Sequence, residues 1–76
     1  MIATVYIDLR PVAGGVGSTP EETWDAAMAG LRASGYANFA DRLDEDRGFA
    51  CWGGDYGTLL LGRTVEYRLE GAETAE

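Results

Sequence analysis

Residues 41–48 read DRLDEDRG, and their side chains are the first place to look for chemistry. Asp41, Asp44, Glu45 and Asp46 could ligate calcium, work as an acid–base pair or receive a basic partner. A calcium loop starting at Asp44 would put Asp46 at its third position. Gly48 would then replace an oxygen ligand, Phe49 would replace the invariant glycine, and Asp55 would stand where a bidentate glutamate is needed. Starting from Asp41 puts Leu43 at the third position, so the calcium reading fails on spacing. Zinc lacks ligands, because the chain has one cysteine, Cys51, and no histidine. The absence of histidine and lysine also leaves no base for a serine nucleophile and no amine for a Schiff base. Cys51 sits in an apolar stretch beside Trp52 and reads as an inert thiol.

A second stretch, GGVGSTPEE, joins a strand to a helix start, a geometry that often holds phosphate. It lacks the P-loop lysine and the third glycine of the dinucleotide fingerprint. Glu21 and Glu22 moreover occupy the first helical turn and would repel an anion. It reads as a flexible connector.

The elements that must position these residues follow from periodicity. In residues 2–9, Ala3, Val5, Ile7 and Leu9 alternate with Thr4, Tyr6 and Asp8, which predicts a strand ended by Arg10 and Pro11. VAGGVGS is read as connection. Thr19, Pro20 and Glu22 form a capping-box signature, Trp24, Ala27, Met28 and Leu31 make one apolar stripe, and Gly35 closes the helix. Tyr36, Phe39, Ala40 and Leu43 share helical spacing and predict a short second helix over 37–45, closed by Gly48. FACWGG reads as a short strand, GGDYG as a turn and TLLLGRTVEYRL as one long strand, with Gly62 marking a bulge. The expected fold is α+β: a three-stranded, mostly antiparallel sheet with one long and one short helix on one face, in the order β-α-α-β-β. Residues 1–70 form the single domain, and 71–76 a frayed acidic tail.

Composition narrows the function classes. The chain has 76 residues, is 46% apolar and carries a net charge of −7. It is apolar enough for a core and repels nucleic acid and anionic membranes, so a basic protein surface is the expected partner. No apolar run is long enough to span a membrane, and the start lacks a secretory pattern. With a lone cysteine the chain reads as cytoplasmic, and no cofactor is expected.

VYIDLR and the segment that follows, through the helix to SGY, resemble the first strand and helix of the ferredoxin-like CRISPR-associated nucleases of spacer acquisition. That resemblance implies metal-dependent cleavage of RNA or DNA with Asp8 as the functional residue. The chain departs from that family in its acidity and in lacking an arginine-rich helix start. As a small, acidic α+β chain with DRLDEDRG, an acid-rich EGAETAE end and no enzyme motif, it also resembles, in character rather than by motif, the phage-borne anti-CRISPR proteins. This second resemblance implies stoichiometric binding to a CRISPR effector at a basic, DNA-handling surface, in the host cytoplasm if the chain is phage-encoded. The residues expected at the interface are Asp41, Asp44, Glu45 and Asp46, with Tyr56 as an aromatic anchor in a hairpin turn and Glu66 and Glu70 on the last strand. A homodimer through an exposed last strand is the third expectation.

Overall fold

The computed structural model describes residues 1–47 and 55–70. The strand read in 49–54, with Cys51 and Trp52, and the tail 71–76 lie outside them. The described elements run β1 (Ile2–Ile7), β2 (Arg10–Val16), α1 (Pro20–Ala33), α2 (Ala37–Asp44), β3 (Asp55–Leu60) and β4 (Arg63–Glu70). The fold is α+β, with a four-stranded antiparallel sheet in the order β2-β1-β4-β3 and both helices on one face.

α1 begins where the cap chemistry places it. Thr19 Oγ1 accepts from the Glu22 amide at 3.1 Å, and Glu22 Oε1 reaches back to the Ser18 amide at 3.0 Å. The Thr23 hydroxyl is buried but satisfied, donating to the Thr19 carbonyl at 2.7 Å. The helix ends in a Schellman motif: Tyr36 N–H donates to Leu31 C=O, Gly35 N–H donates to Arg32 C=O, and Gly35 adopts φ 94°. After this turn α2 follows immediately and buries Phe39, Ala40 and Leu43.

The stretch read as a flexible connector is strand β2. It pairs with β1 along its length, with a bulge opposite Val5 and Tyr6. Glycine here permits contact, not flexibility. A Cβ on Gly15 would lie 2.3 Å from the Ala27 amide nitrogen, so α1 packs directly on the β2 backbone. Pro11 is tolerated because β2 is an edge strand. The first strand accordingly ends at Ile7, and Asp8 and Leu9 form the turn.

The expected single long last strand is a hairpin. β3 and β4 pair from Leu60↔Arg63 outward, and Leu61 and Gly62 make the turn, both at positive φ. Gly62 is therefore a turn residue and not a bulge, and Asp55, Tyr56 and Gly57 belong to β3 and not to a turn. β4 lies inside the sheet, hydrogen-bonded to β1 and β3, so it offers no edge for a second copy. The first part of the expected last strand, Thr58 to Leu60, lies in β3, which is an edge of the sheet.

The sheet alternates cleanly. Ala3, Val5 and Ile7 from β1 and Val65, Tyr67 and Leu69 from β4 are buried against Trp24, Ala27, Met28, Leu31, Phe39 and Leu43. At its centre the rings of Trp24 and Tyr67 meet edge-on, with centroids 4.6 Å apart. Each such large side chain contributes about 2 kcal/mol by burial. The opposite face carries Tyr6, Glu66, Arg68 and Glu70. Among the described residues, no helix is long and apolar enough to cross a membrane.

Candidate functional site

Packing α2 against α1 gathers carboxylates from both helices. Asp41 and Asp44, one turn apart on α2, share the Arg32 guanidinium of α1 at 3.0 and 2.9 Å. Those two hydrogen bonds, Asp44 first, raise the Arg32 pKa and hold it cationic. Asp44 also accepts a 2.7 Å hydrogen bond from the indole Nε1 of Trp24. Asp25 of α1 pairs with Arg47 at 3.0 Å, just past α2, and Glu21 lies one turn before Asp25 on the same helix face. Glu45 caps the C-terminal end of α2 and is exposed, and Asp46 follows it.

The helix side of the molecule thus carries Glu21, Asp25, Asp41, Asp44, Glu45 and Asp46 around Arg32 and Arg47. The arginines do not neutralise the cluster, but they fix its shape. Asp41 keeps 69% of its side chain exposed and Asp44 only 35%. Asp41 and Glu45 are therefore the carboxylates of the expected set best presented to a partner. Asp44 and Asp46 also serve the fold: the Tyr56 hydroxyl donates to Asp46 and ties β3 to the end of α2.

That bond goes with a placement of Tyr56 other than the expected turn. Tyr56 is half-buried in β3 against the core instead of standing out from a turn, and the hydrogen bond to Asp46 raises its pKa. Glu66 and Glu70 lie on the outer face of β4, as their alternation in the sequence predicts. They alternate with buried Val65, Tyr67 and Leu69, so they point away from the helices. Glu66 pairs with Arg68 at 3.3 Å, and Arg68 lies 5.5 Å over the Tyr6 ring. The sheet separates these two glutamates from the α2 cluster, so the expected residues do not form one continuous patch. Sequence reading did not assign Glu21 or Asp25 to the acidic surface. Their i, i+4 spacing on the flank of α1 was readable, but their meeting with α2 was not.

Asp8 sits in the turn that follows β1, beside the β3–β4 hairpin. Its Oδ2 receives Arg63 Nε and Nη2, each at 2.8 Å, and its Oδ1 faces the Thr64 amide at 3.3 Å. The Arg63 hydrogen bond holds the Asp8 carboxyl below the usual carboxylate range. Both oxygens are engaged in latching one hairpin to the other. Among the described residues, no group of three or more histidine, cysteine, aspartate or glutamate side chains is placed to hold a metal ion.

No protein family, no curated protein and no solved structure matches the chain.

Proposed function

We propose that the chain is a non-enzymatic acidic binding protein that docks its α1–α2 side on a basic, nucleic-acid-handling protein complex. The observation that carries this reading is the Arg32 bridge. One guanidinium holds Asp41 and Asp44 in fixed register on a two-helix surface that stays net negative. Carboxylates spaced on rigid elements take arginine and lysine side chains that otherwise grip phosphates. The −7 charge steers encounter with such a surface. In its most specific form the partner is a multisubunit CRISPR effector and the effect is blocked entry of target DNA, in the cytoplasm. That form rests on the resemblance in character to anti-CRISPR proteins.

The test uses tagged full-length chain to capture complexes from host cells. Wild type is compared with a helix-side reversal (Asp41→Arg with Glu45→Arg) and a sheet-side reversal (Glu66→Arg with Glu70→Arg). The reading expects a nucleic-acid-binding complex with the wild type and the sheet-side variant, its DNA binding inhibited by the chain, and loss with the helix-side variant. Equal capture by all three, or a captured complex whose DNA binding is untouched, contradicts it.

A further inference from the structure

The end of the sheet farthest from the acidic helix ends carries chemistry of the opposite kind. Because β1 pairs antiparallel with β4, the Asp8–Leu9 and Leu61–Gly62 turns lie side by side there. Leu9 and Leu61 project from these tips with 75% and 53% of their surface exposed, and Leu59 in the adjoining β3, on the sheet face away from the helices, is 73% exposed. Leu9 and Leu61 adopt φ 68° and 52°, in the left-handed region where a side chain is unfavourable and glycine or asparagine is preferred. An exposed leucine in that conformation adds nothing to the core, so the fold does not account for it.

Behind the tips lies a cleft of about 360 Å3, lined by Ile7, Asp8, Arg10, Val12, Tyr36 and Arg63. Asp8 is taken up by Arg63. The Arg10 side chain lines the same open cleft, and its charge acts through space on Asp8 beside the closer Arg63, so two guanidiniums face one carboxylate there. In a chain of net charge −7 this end is locally positive.

We infer that the paired hairpin tips and the Arg10 cleft form a second docking site, taking a segment of a partner protein that carries a carboxylate beside apolar side chains. Charge complementarity assigns the carboxylate to Arg10. The leucines protrude beyond the cleft, so an occupant touching both is extended like a peptide and is larger than a free small acid. A polyanion such as nucleic acid is opposed by the charge of the whole chain. The apolar area at the tips is small against the roughly 800 Å2 per partner of a stable interface, so the contact is a weak, transient one. This inference does not depend on the helix-side reading, because it uses none of those residues.

The test titrates isotope-labelled full chain with N-acetyl-Leu-Glu-Leu-amide in the millimolar range, read by backbone and arginine side-chain NMR shifts. The expected result is saturable shifts at Leu9, Arg10, Leu61 and Arg63 with Glu45 unmoved. Roughly tenfold weaker binding is expected for N-acetyl-Leu-Gln-Leu-amide and for Arg10→Gln. Leu9→Gly and Leu61→Gly should weaken binding while raising the melting temperature, which separates lost contact from lost fold. Absence of saturable shifts, equal response to the glutamine peptide, or shifts centred on the helix side overturns the proposal. So does tip binding to phosphatidylcholine vesicles in preference to the peptide. Concentration-dependent tip shifts of the chain alone would place a second copy there, and would equally overturn it.

Discussion

Trp24 and Asp44 are joined across the two helices by a 2.7 Å hydrogen bond from the indole nitrogen to a carboxylate oxygen. Trp24 is fully buried and Asp44 is at the surface end of the pair. A residue that reads as a partner contact therefore also anchors the core. Asp44→Ala leaves a buried N–H without its acceptor and should cost about 2 kcal/mol in urea unfolding. Asp44→Asn keeps an oxygen within reach and should cost much less. Equal losses for the two variants would remove this hydrogen bond from the account of stability.

Gly15 sets how closely α1 approaches the sheet. An added Cβ would meet Ala26 and Ala27 backbone atoms at 2.3 to 2.6 Å, which no rotamer change relieves. Gly15→Ala should destabilise the fold by about 3 kcal/mol, read as a lower unfolding midpoint.

Leu9 and Leu61 hold positive φ at exposed turn positions. Glycine removes that strain but adds unfolded-state entropy. Leu9→Gly and Leu61→Gly should each stabilise by about 0.5 kcal/mol, measured by denaturant unfolding with an unchanged slope.

Two groups give stability opposite pH dependences. Asp8 is held below its ordinary pKa by Arg63, so the stability it supplies is present above about pH 4 and is lost as pH falls through its lowered folded value. Tyr56 is raised by Asp46, so its contribution is present below about pH 10 and is lost as pH rises through its raised folded value. Melting temperatures across pH should show the acid loss reduced in Asp8→Asn and the alkaline loss reduced in Tyr56→Phe. Unchanged profiles would contradict these assignments.

Local chemistry was legible and tertiary context was not. Thr19, Pro20, Glu22 and Gly35 fix α1 because caps and the Schellman turn are made within a few residues. The spacing of Phe39, Ala40 and Leu43 found α2 for the same reason. β2 escaped because Pro11, Gly14 and Gly15 look like linker residues, whereas their use is an edge strand pressed against a helix. Both hairpins were missed at Asp8–Leu9 and Leu61–Gly62, because leucine at positive φ is not a turn signal. At the candidate site, the acidic run was visible, but nothing local shows that Trp24 takes Asp44, that Tyr56 takes Asp46, or that the sheet parts Glu66 from Asp41.

The central claim is electrostatic docking through the α1–α2 side, and it is tested most directly by the salt dependence of the association rate with a captured nucleic-acid-binding complex. Asp41→Arg with Glu45→Arg is the informative variant, because it spares the anchors Asp44 and Asp46. The account predicts a wild-type rate that falls about tenfold between low and high salt, a slow and nearly salt-independent rate for that variant, and wild-type behaviour for Glu66→Arg with Glu70→Arg. A wild-type rate indifferent to salt and unchanged by reversal of Asp41 and Glu45 would contradict it.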